Sequence, residues 1–151
     1  MRGWCRDFQR SCRAAGIRVT AQRLAVYEAL AADGAHPTAD ALYTRLARVM
    51  PGLSRTTVYR VLDSLERRGL IRRVSSTAGV ARFDARPEAH QHLVCRVCGA
   101  IVDVSLPTFR RLGVPRGPLP RFVAEHVEVQ VVGRCAACHG QDAGGDPGTG
   151  T

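Results

Sequence analysis

Four of the six cysteines stand in two C-x-x-C pairs, Cys95 and Cys98 in "CRVC" and Cys135 and Cys138 in "CAAC". Each pair closes an apolar, strand-like run and is followed by small residues ("CGA", "CHG"), which let two sulfurs turn back toward one ion. Four thiolates at about 2.3 Å in a tetrahedron make a closed, structural zinc site. A thioredoxin-like redox pair is the rival chemistry for either motif alone, but neither pair opens a helical pattern. Two such pairs in a reducing compartment favour zinc over disulfides. The span between the pairs is longer than in a compact zinc ribbon, so the ion would staple the end of the chain to its middle.

A second set of donors lies beside the first pair in "EAHQHLVCRVCGAIVDV". His90 and His92 are two apart in a strand-like run, so both side chains point to one side of a sheet. Asp103 stands among valines, where an unpaired carboxylate is costly to bury. A shared metal ion would resolve that cost. A satisfied core histidine and an exposed strand-edge aspartate are the plainer alternatives, and these residues alone leave them open.

The elements that must position these donors follow from periodicity. "TAQRLAVYEALAA" starts a helix at Thr20 as N-cap, with Leu24, Tyr27 and Leu30 on one face; "PTADALYTRLARVM" repeats the pattern with Leu42, Leu46 and Val49. "LSRTTVYRVLDSLERRGLI" has Ser54 as N-cap, Val58, Val61, Leu62 and Leu65 at helical spacing, and Gly69 where a left-handed C-cap residue belongs. Its opposite face carries Thr56, Arg60 and Arg67, with Tyr59 on the flank. "LIRRV", "SSTAG" and "VARFD" then predict strand, turn and strand.

Two helices, a third with a basic outer face, and a hairpin are the order of a winged helix-turn-helix. Arg55, Thr56, Tyr59 and Arg60 near the start of the third helix are the candidates to meet DNA in a major groove, and the hairpin arginines to meet phosphate. A solvated helix on a small α/β fold is the competing account. Beyond "DARPEA" the period changes to two, in "HLVC", "AIVDVSL" and "VEVQVVGRC", with a weakly amphipathic segment between Pro107 and Leu119. The glycine-rich end "GQDAGGDPGTGT" has nothing to bury and is expected to be disordered.

The bulk numbers agree with this division. A chain of 151 residues has room for one ordinary domain or two small ones, and a large enzyme core is not expected. Basic residues outnumber acidic ones by 22 to 13, for a net charge of +9, and arginine carries the excess. That balance suits a polyanionic partner, although a solvated arginine-rich surface would look the same. No run is apolar and long enough to span a bilayer, and "MRGWCRDFQRSCRAAG" contains no signal-peptide-like run, so the expectation is a cytoplasmic protein with no membrane partner.

At "AHPTADALY", "SRTTVYRVLDSLERRGLI", "RFDA", "HQHLVCRVCGAIVDV" and "VVGRCAAC", in order over residues 15–139, the chain resembles the ferric uptake regulator family of metal-dependent bacterial repressors. The resemblance implies an α+β protein. Residues 1–84 would form an N-terminal winged helix-turn-helix DNA-binding domain with an extra N-terminal helix. Residues 85–139 would form a C-terminal α/β dimerisation and metal-binding domain, and 140–151 a disordered tail. It implies a homodimer on double-stranded DNA, at an A·T-rich inverted-repeat operator, with structural Zn(2+) on Cys95, Cys98, Cys135 and Cys138.

The family's regulatory ligands map onto His36, Asp84, His90, His92 and Asp103. This set suits Fe(2+) or Mn(2+), and also zinc or nickel by donor type, so selection would rest on geometry and metal supply. The two aspartates resemble the peroxide-sensing branch more than the metal-uptake branches, where a glutamate is common at one of these positions. In that branch iron-catalysed oxidation of a ligand histidine releases the repressor, which makes His36 and then His90 the oxidation-sensitive residues. A sensor of iron, manganese, zinc or nickel supply is the alternative within the family.

The chain departs from the family where Ala89, Gln91 and Val127 replace donors of a further metal site, which is therefore expected to be absent, with His126 as a residual donor nearby. Cys5 and Cys12, seven residues apart, are expected to be ordinary helix residues. A zinc hydrolase or deaminase would need a general base, and no glutamate is placed as one beside "HQH" or the cysteine pairs. The protein is therefore not expected to be an enzyme.

Overall fold

The computed structural model describes residues 3–74, 79–86, 88, 90–107, 109, 122, 123 and 128–139, with side chains from residue 6 onward. The chain divides into two compact units, Met1–Ala89 and His90–Thr151. The division falls at the end of "DARPEA", five residues beyond the 84/85 boundary expected from the resemblance. The tail 140–151, Ala89, Val127, His126 and most of the segment between Pro107 and Leu119 lie outside the described residues.

The first unit holds helices α1 (Gly3–Ala14), α2 (Ala21–Ala31), α3 (Ala39–Leu46) and α4 (Arg55–Glu66), then strands β1 (Arg72–Val74) and β2 (Arg82–Asp84). Three of the helices begin on a hydroxyl cap. Thr20 accepts from the Arg23 amide at 3.3 Å, Thr38 from Ala41 at 3.1 Å and Ser54 from Thr57 at 3.1 Å. Each cap satisfies a first-turn N–H that has no partner within its helix.

The apolar faces meet in one core of Phe8 and Cys12 from α1, Val26 and Leu30 from α2, Leu42 and Leu46 from α3, and Val58, Leu62 and Leu65 from α4, closed by Ile71 and Phe83. The Phe8 ring stacks on Tyr27 with centroids 3.9 Å apart. Val49, expected on the inner face of α3, is instead 73% exposed. The helix ends at Leu46, and the turn that follows rotates Val49 out of the helical phase that would have buried it.

Gly69 ends α4 at φ +67, with its own N–H bonded to Glu66 O and that of Leu70 to Leu65 O, which occupies carbonyls the helix leaves over. The strands pair antiparallel with Arg73 opposite Phe83. Residues 75–78 of the expected turn lie outside the described residues. The free edge of β2 is taken by the segment before α3, through a bridge of Thr38 to Arg82 and a bond from Phe83 N to Pro37 O at 3.2 Å.

The second unit contains β3 (Gln91–Cys95), β4 (Ile101–Val104) and β5 (Gln130–Gly133) in the order β4-β3-β5. β3 runs antiparallel to β4, with His92 opposite Asp103, and parallel to β5, with Leu93 opposite Val131. Val94 and Ile101 are buried on one face, while Leu93, Val102 and Val131 form an exposed apolar row on the other.

Candidate metal centres and recognition helix

The cysteine pairs sit where strands end. Cys95 is the last residue of β3, and Gly99 at φ +69 lets the chain fold back so that Gly99 N reaches Cys95 O at 2.9 Å and Cys95 N reaches Ala100 O at 2.8 Å. Cys135 follows β5, whose parallel pairing with β3 brings the second turn beside the first, tied by Arg96 N to Gly133 O at 2.9 Å. The four Sγ atoms lie within 4.8 Å of one another, and Cys98 and Cys135 are 3.7 Å apart. A tetrahedron with Zn–S bonds of about 2.3 Å has an edge of about 3.8 Å, so the sulfurs stand at zinc-binding separation.

Their electrostatics point the same way. Backbone N–H groups of Cys98 and Cys135 lower the Cys95 thiol to about 6, and the Cys135 amide lies 3.3 Å from its sulfur. Cys138 is pushed up to about 12 by its hydrogen bond with Cys135 and by burial. The Cys95 thiolate is favoured and that of Cys138 opposed, a conflict that a dication relieves.

A second convergence lies at the other end of β3. His90 Nε2 and His92 Nε2 are 3.0 Å apart, and Asp103 Oδ1 lies 3.5 Å from the first and 3.6 Å from the second. His90 precedes β3 rather than lying within it, yet both rings project to the side that Asp103 shares as the cross-strand neighbour of His92. Ligands about 2.1 Å from one ion at right-angled to tetrahedral spacing are about 3.0 to 3.4 Å apart, and the trio, at 3.0 to 3.6 Å, stands within a few tenths of an ångström of the spacing a divalent cation needs. Gln91 points elsewhere: its Oε1 accepts the Leu106 amide at 2.9 Å. It thus has a structural role.

The remaining expected ligands, His36 and Asp84, belong to the first unit and are 2% and 6% exposed. His36 lies two residues before Thr38 and Asp84 two residues after Arg82, on either side of the bridge that pairs Thr38 with Arg82.

His36 is in the left-handed region at φ +52, which costs a residue with a Cβ about 1–2 kcal/mol. Its loop is bracketed. Ala35 N donates to Asp33 Oδ1 at 2.9 Å, and Arg45 donates to Asp33 Oδ2 and to Ala29 O. Burial opposes the Asp33 charge, but the bonds from Arg45 and Ala35 hold its carboxyl below the usual range. On the far side, Arg82 Nη1 donates to His36 O at 3.0 Å.

On α4, Thr56, Tyr59 and Arg60 are exposed on the face opposite Val58 and Leu62, as the periodicity requires. Tyr59 and Arg60 border a cleft of about 600 Å³ that the start of α3 and the wing also line. Arg55 is engaged at home, 2.6 Å from Asp40 and 5.1 Å above the Tyr43 ring. Arg73 of the wing chelates Glu66 at 2.7–3.2 Å. Cys12 is fully buried against the helical core, as an ordinary helix residue would be, and burial pushes its thiol up; the Cys5 side chain lies outside the described residues. Asp40 and Arg82 carry no spacing signal in the sequence, because their partners are 15 and 46 residues away.

A winged helix, a separate three-stranded unit and two clusters of metal donors define a metal-linked DNA-binding regulator. The sequence profile of the ferric uptake regulator family matches residues 14–114, and the chain belongs to that family. It is similar to the peroxide-responsive repressor PerR of Staphylococcus aureus strain Mu50, at 32% identity over 128 residues, covering 85% of this chain and 86% of that one. Among solved structures it is similar to the ferric uptake regulator of Pseudomonas aeruginosa with manganese, at 27% identity and TM-score 0.68, covering 85% and 97% of the two chains. It is also similar to a zinc-bound manganese uptake regulator, at 27% identity and TM-score 0.61, covering 83% and 98%.

Proposed function

We propose that this protein is a metal-dependent transcriptional repressor that senses peroxide. The observation that carries it is the convergence of His90, His92 and Asp103 on one point, in a chain that is 32% identical to a peroxide-responsive repressor. His36 and Asp84 complete the proposed ligand set. Cys95, Cys98, Cys135 and Cys138 hold a structural zinc that the sensing step leaves in place.

By linkage, metal favours the DNA-competent arrangement only as far as it binds that arrangement better than others. The recognition surface is the exposed face of α4, with Arg55, Thr56, Tyr59 and Arg60. The operator is an A·T-rich inverted repeat bound by a homodimer in the cytoplasm, and the protein is a regulator rather than an enzyme. Fe(II), held by these residues, would supply the electron that reduces hydrogen peroxide, and the imidazoles of His36 and His90 would be the side chains open to oxidation. An oxidised imidazole is a poorer ligand, so the site loosens and the operator is released.

The test is peptide mass spectrometry after Fe(II) loading and a small excess of hydrogen peroxide, with Mn(II) as control. The tryptic peptide Leu24–Arg45 contains His36 but no Met, Cys or Trp. An added oxygen on His36 with iron and not with manganese is expected. If His36 and His90 both stay intact, the protein responds to metal supply instead, as its similarity to a zinc-bound manganese uptake regulator and to a ferric uptake regulator with manganese would then suggest.

A further inference from the structure

We propose that Arg82 is a positioning residue for the regulatory metal centre, acting through the main chain of His36 and joining that ligand to the wing. The inference rests on His36 being a ligand, as proposed above. His36 sits in the left-handed region, immediately before Pro37, where an ordinary residue does not stay without support. Arg82 supplies that support from outside the loop. Its Nη1 donates to the His36 carbonyl at 3.0 Å, and among the described residues that is its only side-chain hydrogen bond.

The same residue begins β2. Its backbone is paired with Val74 of β1 on one side and Thr38 on the other, and the next amide, Phe83 N, bonds Pro37 O at 3.2 Å. Residues 36–38 are thus an added edge of the wing, with the guanidinium clamping its first carbonyl. Because the carbonyl belongs to the strained residue itself, the clamp selects its backbone conformation and so the direction in which the imidazole leaves the chain. Asp84, two residues along β2, is placed by the same strand. One arginine therefore sets both first-unit ligands relative to the wing, and a shift of the His36 backbone must be shared by β2.

A wing arginine would otherwise be assigned to DNA phosphate, and the test separates the two. Mn(II) affinity of the full-length zinc-loaded protein, without DNA, is measured from the decline of the free Mn(II) paramagnetic signal for the wild type and for Arg82→Met, Arg82→Lys and His36→Ala. Partners that orient metal ligands typically change affinity by about 10- to 100-fold. Arg82→Met, which keeps the apolar stem and loses the donor, should weaken Mn(II) binding roughly tenfold with the unfolding temperature of the Mn-free protein unchanged. Arg82→Lys, which can still reach the carbonyl, should restore affinity to within about threefold. If Arg82→Met does not fold, Arg82→Gln carries the test, with weakened binding expected because its shorter donor falls short.

Wild-type Mn(II) affinity in Arg82→Met beside a weakened His36→Ala would overturn the inference and leave the ligand assignment standing. Unchanged affinity in His36→Ala would remove His36 from the site, and the role of Arg82 with it. Loss of DNA binding in Arg82→Met at unchanged metal affinity would make Arg82 a phosphate contact and likewise refute it.

Discussion

Replacing Cys95 by serine removes one sulfur from the cysteine cluster, and the structure sets how much should be lost. Among the described residues of the second unit, Val94 and Ile101 are the buried aliphatic side chains, and Cys95 and Cys138 are the other buried apolar ones. Full burial of a Val or Ile contributes about 1.5–3 kcal/mol, so the two together give about 3–6 kcal/mol. A structural zinc contributes about 10–16 kcal/mol at neutral pH, and that binding energy is folding energy. The ion therefore stabilises this unit more than its two buried aliphatic side chains do.

Cys95 also accepts the Cys135 amide and closes the turn that joins β3 to β4, so the variant loses the ligand at the point where both knuckles meet. Cys95→Ser should therefore come out without zinc and without a folded second unit, while the first unit keeps its helices around Leu30, Leu42 and Leu62. Zinc content by a chromophoric chelator, far-ultraviolet circular dichroism and thermal unfolding would follow the two units separately. A zinc-free variant whose strands melt cooperatively at the wild-type temperature would refute the assignment of the ion as the main support of this unit.

Three further outcomes follow from the same geometry. His92→Ala and Asp103→Ala each remove one corner of a trio spaced 3.0–3.6 Å; zinc content should be unchanged and metal-dependent operator binding lost, and retained binding in a gel-shift titration would exclude them as ligands. Arg60→Ala should weaken operator binding about tenfold or more, and Arg55→Ala less, because Asp40 already neutralises its guanidinium; the reverse order by fluorescence anisotropy would contradict the placement. Zinc affinity should fall with acidity, because thiol protons must leave as the ion binds and the Cys138 thiol is held up by its hydrogen bond with Cys135 and by burial. Chelator competition from pH 5 to 8 should show the affinity falling steadily as the pH drops, and an affinity independent of pH would count against thiolate ligation.

Much of the helical unit was legible because its determinants are local. A hydroxyl bonds an amide three residues on, apolar side chains recur with the helical turn, and a residue at positive φ favours glycine; Thr20, Ser54, Val58, Leu62 and Gly69 all sit as those rules require. Val49 shows the limit, since the same periodicity continues in the sequence past the point where α3 stops. In the second unit, the alternation around Leu93 and Val94 gave the strands but not their order. The parallel pairing of β3 with β5 joins residues nearly forty positions apart and has no short-range signature.

By itself, then, the sequence determined which side chains could ligate metal and which helix face was left polar, because donor chemistry and short-range period are written into residue type and spacing. Only the tertiary structure decided that the sulfurs of Cys98 and Cys135 stand 3.7 Å apart, that His92 faces Asp103, that Arg55 is spent on Asp40 and that Arg82 holds His36. Each of those depends on chain closure over many residues, where strand register and packing choose among partners that local chemistry makes equally acceptable.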